Sequence, residues 1–239
     1  MKTKETIALI PARTGSKRIP NKNLAEIDGK PALLRAIELA INSRIFTKIY
    51  VSTDNEFVEE LALRYGAQSL GLRNHKFAND VSTTIEVVKY EIERIESLGI
   101  AIGSLCCIYP VTPLLRKERL IEGFNVLSTL EKGFVFPVQK SNKVQLKAVK
   151  IQNEIFSLLT EAQTTLRTQD QEEIFFDAGQ FYWGSRNSWV YEKTIFASKS
   201  KVILFDKWET VDVDDPEDLS LVRVLFESRK PKEPSSEKV

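Results

Sequence analysis

Short apolar runs alternate with stretches of helical periodicity along the first half of the chain. The run 6–10 ends at Pro11 and has the pattern of a buried strand, and the segment that follows Pro31 has the spacing of an amphipathic helix. Similar patterns predict further strands at 48–52, 68–70, 104–109 and 134–138, and helices at 55–65, 83–98 and 117–131. This alternation predicts an α/β domain with a mostly parallel sheet.

The alternation breaks between residues 139 and 180. Two stretches of period-two alternation, 146–151 and 154–159, predict an antiparallel hairpin inserted into the main sheet. A strand at 202–205 and a helix at 216–227 then restore the earlier pattern. We therefore predict a main domain of residues 1–138 and 181–229, an inserted subdomain of residues 139–180, and a disordered tail of residues 230–239.

Composition excludes several classes of function. The chain has 239 residues, of which 42% are hydrophobic, enough for one main core with a smaller appendage. Lys and Arg number 34 against 33 Asp and Glu, so no basic surplus indicates a nucleic-acid binder. No apolar run reaches the roughly 18 residues of a membrane span, and the N-terminus lacks a signal-peptide pattern.

Two adjacent cysteines, Cys106 and Cys107, lie inside an apolar run. Neighbouring cysteines do not easily reach disulfide geometry, so we expect reduced thiols in a cytoplasmic protein. With His75 as the one histidine, the chain also lacks the residues of a Cys/His zinc site.

The loop after the first strand is the most informative segment. Arg13, Lys17, Arg18 and Lys22 lie within ten residues of one another, among small and amide side chains. Open α/β sheets bind ligands in such loops, and a nucleoside triphosphate needs several cations and donors. Gly15 would let the backbone approach phosphate closely. Neither GxxxxGK(S/T) nor GxGxxG is present, so this is another kind of phosphate loop or a solvated basic loop.

The string IPARTGSKRIPNKN resembles the signature IPARxGSKRIPxKN of the cytidylyltransferases that activate sialic acid and related nonulosonic acids. Thr14 stands where that family often has glycine or another small polar residue. The resemblance implies a Rossmann-like, three-layer nucleotidyltransferase fold of the glycosyltransferase-A-like kind. It implies that Arg13, Lys17 and Lys22 assist catalysis. The implied CTP contacts in this loop are Ala12, Arg13, Gly15, Ser16, Lys17, Lys22 and Asn23.

Further segments are similar to the same family in the same order. Asp54 is either a helix N-cap, which we favour, or a nucleotide contact. The segment with Arg73, Asp80 and Thr83 resembles the family's Arg-Pro…Asp…Thr pattern, which implies Arg73 near the cytosine base and Asp80 and Thr83 near the nucleotide. Alternatively, Arg73 is a surface residue and Thr83 a helix cap. Arg116 is either a ligand contact or the start of a helix.

The string RTQD…DAGQFYWG supports a prediction about the sugar. It resembles the pseudaminic acid branch of the family, whereas sialic acid enzymes typically show NGAIY-type strings here. They also show Gln-Pro-Thr-Ser-Pro where this chain has Tyr-Pro-Val-Thr-Pro at 109–113. A guanidinium can bind a sugar carboxylate bidentately, although the aromatics of AGQFYW could be core residues. The residues predicted to bind the sugar are Arg167, Gln169, Asp177, Gln180 and Tyr182.

Asp212 and Asp214 are candidate metal ligands. Period-two alternation at a strand end places both carboxylates on one face, where their oxygens suit a hard divalent cation. Alternatively, these acids begin the last helix, a role that fits Asp215, Glu217 and Asp218 better. The resemblance includes a V/I-D-x-D element before the final helix, and it implies that Asp212 and Asp214 hold Mg²⁺ as the cofactor.

The resemblance therefore implies a cytidylyltransferase that converts CTP and pseudaminic acid, an acidic nine-carbon sugar, into the CMP-sugar and diphosphate. The alternatives are the same reaction on sialic, legionaminic or keto-deoxy-octulosonic acid, a glycosyltransferase with an Asp-x-Asp metal site, and a nucleotide-binding regulatory module. The apolar faces of the hairpin predict a homodimer. We expect neither a nucleic acid nor a membrane as partner.

Overall fold

A mixed β-sheet runs through this computed structural model, which describes residues 3–79, 81–141, 149–152, 155–158 and 173–229. Most of its strands coincide with the apolar runs of the sequence. In chain order the strands are β1 (Glu5–Pro11), β2 (Glu26–Ile27), β3 (Lys30–Pro31), β4 (Lys48–Ser52), β5 (Ile102–Ile108), β6 (Phe134–Lys140), β7 (Val149–Gln152), β8 (Ile155–Leu158), β9 (Phe175–Asp177), β10 (Phe181–Ser185) and β11 (Lys201–Phe205).

Four of the six described α-helices begin at a residue whose side chain caps the helix. Asp215 caps the last helix in a capping box with Asp218, as the alternative role of these acids requires. The cap of the second helix is Asn55, whose side chain accepts a hydrogen bond from the backbone of Val58, so the prediction that Asp54 is the cap is wrong. The helices are α1 (Ala32–Ser43), α2 (Glu56–Arg64), α3 (Thr84–Ser97), α4 (Lys117–Leu127), α5 (Arg186–Tyr191) and α6 (Pro216–Ser228).

Seven strands form the main sheet in the order β11-β6-β10-β5-β1-β4, with β9 also paired to β6. β1 is parallel to β4 and β5, and β11 is parallel to β6. β10 is antiparallel to both of its neighbours. The carboxyl ends of β1, β4 and β5 therefore share one edge of the sheet, and β10 begins at that edge.

Helices cover both faces of the sheet. Side chains of β1 enter opposite cores in alternation: Ala8 and Ile10 pack with residues of α1, whereas Ile7 and Leu9 pack with residues of α3. Burial on both faces explains why β1 is continuously apolar. The three-layer α/β arrangement confirms the predicted fold class.

The two cysteines follow the same alternation. Cys106 belongs to the core on the α1 side and Cys107 to the core on the α3 side. Both are fully buried free thiols, because neighbouring strand residues point to opposite faces.

Four local features differ from the sequence prediction. The predicted strand at 68–70 is reduced to one bridge between Tyr50 and Gln68. A small hairpin of β2 and β3 turns at Asp28 and Gly29, both with positive φ. The short elements β9 and α5 were not predicted. The predicted hairpin is present as β7 and β8, which form a two-stranded sheet of their own rather than part of the main sheet.

The ends of the predicted subdomain 139–180 belong to the main sheet. β6 extends to Lys140, which pairs with Phe175 at the start of β9. No helix in the described part of the chain is long and apolar enough to cross a membrane.

Gly123 of α4 gives a test of core packing. A Cβ added at this position would lie 2.6 Å from Cδ1 of Trp183 and 3.0 Å from Cε2 of Phe181. Alanine favours a helix over glycine by about 1 kcal/mol, but overpacking costs about 1–3 kcal/mol. We therefore expect Gly123→Ala to lower the free energy of unfolding, measured in urea, by about 1 kcal/mol. Asn125→Ala, on the exposed side of the same helix, is the control and should not destabilise the protein.

An equal or higher free energy of unfolding for Gly123→Ala would contradict this close packing of α4 on the Trp183 ring.

Candidate active site

A cavity of about 630 Å³ opens at the edge of the sheet where the parallel strands end. Its walls come from the loop after β1, the segment before α3, the residues after β5, the turn between β9 and β10, and the segment before α6. The predicted site residues that line it are Arg13, Ser16, Lys17, Lys22, Asn23, Arg73, Asp212 and Asp214. Sequence reasoning therefore located most of its charged lining.

The loop of residues 12–23 is tied to the sheet and to itself. The backbone N–H of Ala12 donates to the carbonyl of Ser52 at 2.8 Å, which continues the pairing of β1 with β4. The side-chain amide of Asn23 donates to the carbonyl of Arg13 at 2.8 Å, so Asn23 closes the loop. Gly15 has a φ of 89°, a conformation that favours glycine. These contacts hold the cationic side chains of the loop at the cavity.

Asp54 holds the same loop through Thr14. Its Oδ1 accepts a hydrogen bond from the backbone N–H of Thr14 at 2.7 Å, and its Oδ2 accepts one from the Thr14 hydroxyl at 3.0 Å. Asp54 is therefore engaged by the loop, forty residues earlier in the chain, rather than by the helix that follows it.

Arg73 is buried, with 3% of its surface exposed, so the alternative that it is a surface residue is wrong. Within the described part of the chain, its Nε and Nη2 have no hydrogen-bond partner. Burial lowers the pKa of its guanidinium, while the nearby carboxylates of Glu91 and Asp54 act in the opposite direction. Buried N–H groups without acceptors each cost about 1–3 kcal/mol, so an acceptor bound in the cavity would relieve that cost.

Asp212 and Asp214 lie in a segment without regular secondary structure between β11 and α6. This segment is not a strand, so the prediction of a strand end is wrong. Val213 between them is buried in a core cluster, and all three residues border the cavity. Asp214 Oδ1 accepts from Nη2 of Arg18 at 2.8 Å and lies 3.8 Å from Nζ of Lys22.

This donor set fits a divalent cation. Burial and the neighbouring charge of Asp214 raise the pKa of Asp212, and a bound cation would relieve both effects. Among the described residues, no group of three or more His, Cys, Asp or Glu side chains could hold a metal. A cation bound by the pair would therefore take its other ligands from phosphate or water, as Mg²⁺ commonly does.

One wall of the cavity carries two hydroxyl groups that were not predicted. Thr84 Oγ1 and Tyr109 Oη lie 2.7 Å apart, and both residues line the cavity. The ring of Tyr109 packs edge-on against Tyr182 at 5.5 Å, and burial raises the pKa of Tyr109 to about 12. Tyr109 follows β5 directly, and its position after a buried strand was a signal for it in the sequence.

The remaining predicted nucleotide contacts lie outside the cavity lining. Ala12 is buried, so its backbone is the part that could contact a ligand. Gly15 and Thr83 are exposed. The hydroxyl and backbone N–H of Thr83 form a capping box with Glu86, as the helix-cap alternative requires. Asp80 lies outside the described residues.

The predicted sugar contacts are separated from the cavity or lie outside the described residues. Gln180 is buried, and its side-chain amide donates to the carbonyls of Ala178 and Gly179. Tyr182 is buried and donates its hydroxyl proton to Asp177. None of these three predicted contacts lines the cavity, while Arg167 and Gln169 lie outside the described residues. Their roles stay predictions.

Glu209 anchors the segment that carries the carboxylate pair. It is 8% exposed and accepts hydrogen bonds from Nε and Nη2 of Arg119, at 2.9 and 2.6 Å, and from Nη2 of Arg116 at 2.7 Å. Its Oε2 atom also accepts a hydrogen bond from the backbone N–H of Asp206 at 3.0 Å. Arg116 is the first flanking residue of α4, so the helix-start alternative is confirmed.

Comparison with known proteins gives the family. The family described as Cytidylyltransferase matches residues 7–231. This chain belongs to that family. The cytidylyltransferase described here is 32% identical to the pseudaminic acid cytidylyltransferase of Campylobacter jejuni (strain NCTC 11168), over 93% of this chain and 96% of that one.

More distant relatives agree with this assignment. The CMP-N,N'-diacetyllegionaminic acid synthase of Legionella pneumophila is 26% identical, over 92% of this cytidylyltransferase and 96% of that protein. The solved structure of a CMP:2-keto-3-deoxy-manno-octonic acid synthetase complexed with CTP has a TM-score of 0.70. It is 16% identical and covers 95% of this chain and 100% of that one, so it supports the fold.

Family membership makes this cytidylyltransferase a nucleotidyltransferase enzyme. It therefore confirms the prediction of an enzyme and disfavours both the glycosyltransferase and the regulatory module.

The Glu209 anchor predicts how stability depends on pH. Hydrogen bonds from Arg119 are the main reason that the pKa of Glu209 is lowered to about 2. A depressed pKa stabilises the folded state above the pKa of the unfolded chain, and this stabilisation is lost as pH falls toward the folded pKa. We expect Glu209→Gln to lower the free energy of unfolding at pH 7 by about 2 kcal/mol, and the difference from wild type to shrink between pH 5 and pH 2.

The control is Glu131→Gln, at an exposed position, measured by denaturant unfolding over the same pH range. A difference between wild type and Glu209→Gln that does not change with pH would contradict the role of the ionised Glu209 carboxylate.

Proposed function

We propose that this cytidylyltransferase transfers CMP from CTP to a nonulosonic acid, and that pseudaminic acid is the acceptor. The observation that carries the proposal is the content of one cavity. It gathers a cationic loop, a buried guanidinium with unmatched donors, and a pair of carboxylates. The volume of about 630 Å³ is in the range of small-molecule sites.

The two ends of CTP match different parts of this cavity. Arg13, Lys17 and Lys22 supply positive charge for the triphosphate, together with the backbone around Gly15. Arg73 supplies N–H donors that suit the carbonyl oxygen of a pyrimidine base, and its burial makes a match with an acceptor strongly favourable. Recognition of the base is thus assigned to a guanidinium whose Nε and Nη2 have no acceptor within the described part of the chain.

The transfer itself needs positioning and charge neutralisation. The anomeric hydroxyl of the sugar loses its proton to water as its oxygen forms a bond to the α-phosphorus, the bond from that phosphorus to the bridging oxygen breaks, and diphosphate leaves. Mg²⁺, when held by Asp212 and Asp214, supplies positive charge to the phosphate oxygens. Lys22 lies 3.8 Å from Asp214, so the loop and the carboxylate pair meet at one place. Lys17 and Lys22 offset the charge that develops on diphosphate.

The acceptor is inferred from relatives and from one strand. The Campylobacter jejuni relative is named for pseudaminic acid, and the string DAGQFYWG resembles that branch of the family. We keep Arg167 and Gln169 as the proposed sugar contacts, with Asp177, Gln180 and Tyr182 supporting the wall at Tyr109. Sialic and legionaminic acids are the alternative acceptors.

We expect purified protein with CTP and Mg²⁺ to release diphosphate when pseudaminic acid is added, and less or none with sialic or legionaminic acid. Lys17→Ala and Asp212→Asn each remove one charge-stabilising contact, so each should lower kcat/KM about a hundredfold or more. Lys132→Ala, an exposed cation between α4 and β6, is the matched control and should keep wild-type activity. Circular dichroism checks that all variants fold.

Release with a different acid would keep the reaction and overturn the proposed sugar. Wild-type rates in Lys17→Ala or Asp212→Asn would overturn the roles given to these residues.

We also propose a cytoplasmic homodimer. Buried thiols at Cys106 and Cys107 fit a reducing compartment. Phe196, Val202 and Leu204 are 62%, 48% and 59% exposed, which leaves large apolar side chains near the edge strand β11 for a second copy to cover. Light scattering at micromolar concentration should give twice the chain mass of 27.2 kDa. A mass of one chain would contradict the dimer.

A further inference from the structure

We propose that Asp54 is a positioning residue. It holds the phosphate loop next to the segment that carries Arg73 and so fixes the distance between the two ends of the nucleotide site. The inference rests on the proposed function, because it assigns the effect of Asp54 to the binding of CTP. Asp54 itself is not among the residues that line the cavity, so it acts through its neighbours.

Both carboxylate oxygens of Asp54 are used by one residue of the loop. Oδ1 accepts from the backbone N–H of Thr14 at 2.7 Å and Oδ2 from its hydroxyl at 3.0 Å. Two hydrogen bonds to a charged acceptor fix the backbone and the side chain of Thr14 together. Thr14 lies between Arg13 and Gly15, so this contact sets the direction in which the loop presents its donors.

The end of β4 holds both parts of the site through neighbouring residues. The carbonyl of Ser52 accepts from the N–H of Ala12 at 2.8 Å, and the carbonyl of Thr53 accepts from the N–H of Arg73 at 2.7 Å. Asp54 follows directly. The first two contacts use backbone atoms and remain in any side-chain variant. The Asp54 carboxylate is therefore the part of this junction that mutation can remove.

The charge of Asp54 also has a role at the junction. A carboxylate repels phosphate, so an acid beside a phosphate loop is unsuited to bind the ligand directly. Asp54 instead turns its two oxygens to Thr14 and favours the charged form of the buried Arg73, as Glu91 does. It thus stabilises the cation that the proposed function assigns to the base.

The chain offers variants that separate geometry from charge. Asp54→Ala removes both hydrogen bonds and the charge. Asp54→Asn keeps the size and one acceptor but removes the charge. Thr14→Val keeps the shape and the N–H but removes the hydroxyl donor, and Thr14→Ser restores that donor in a smaller side chain.

Isothermal titration of CTP with Mg²⁺ tests the proposal. We expect Asp54→Ala to raise the Kd for CTP about tenfold and Thr14→Val about threefold, with Thr14→Ser close to wild type. In steady state, KM for CTP should rise in Asp54→Ala while KM for the sugar stays unchanged. A merely structural role would change the unfolding midpoint without this selective change in KM and without rescue by serine.

The outcomes separate this inference from the proposed function. Suppose that wild type binds CTP and that Lys17→Ala weakens this binding. If the Kd values of Asp54→Ala and Asp54→Asn are then within twofold of the wild-type value, the positioning role is overturned while the proposed function stands. If wild type itself does not bind CTP, both proposals fall. If Asp54→Ala does not fold, equal Kd values for Thr14→Val and Thr14→Ser overturn the positioning role.

Discussion

The shared direction of β1, β4 and β5 is the constraint on which the candidate site depends. Because these parallel strands end at one edge of the sheet, the loop after β1, the junction after β4 and Tyr109 after β5 meet at one cavity. β10 runs the opposite way, so its first residues reach the same edge from the other side. The sheet thereby brings together segments that are far apart in the chain, and contacts such as Thr14 with Asp54 and Arg18 with Asp214 then join them.

Interactions between charged groups join different segments around the cavity. Asp214 pairs with Arg18, and Asp54 lies near enough to Arg73 to favour its charged form. Each of these pairs joins a loop at one strand end to a residue from another segment. The exception is the carboxylate of Asp212, whose pKa is raised by burial and by Asp214. The negative charge of Asp212 is therefore disfavoured by its surroundings.

The sequence predicted the elements that have a clear pattern of apolar residues. It did not predict very short elements, or local features that are determined by a contact with a distant residue. β1 is a continuous apolar run and α1 has clear helical periodicity, whereas β9 has three residues and α5 six, too few to show a pattern. Asp54 and Asn55 are both good N-cap residues, so local sequence could not choose between them. The choice is made by Thr14, which engages Asp54 and leaves Asn55 to cap the helix.

The residues of the candidate site likewise fall into those that a local sequence pattern indicates and those that it does not. Its cations were predicted because they follow a strand in a recognisable string, and Arg73 was found through resemblance alone. The hydroxyl pair of Thr84 and Tyr109 forms between residues twenty-five positions apart, so no local pattern indicates it. The sheet has to be assembled before the two groups face each other.

The strand that suggested the sugar is also connected to the carboxylate pair. Asp177 accepts a hydrogen bond from the backbone N–H of Gly179, which has a φ of 60° and separates β9 from β10. A Cβ at Gly179 would lie 3.2 Å from Oδ2 of Asp212, closer than most real contacts. Glycine is therefore required both by the turn and by the approach of a carboxylate. Part of the string DAGQFYWG thus reflects the geometry of the Asp212 site rather than contact with a sugar.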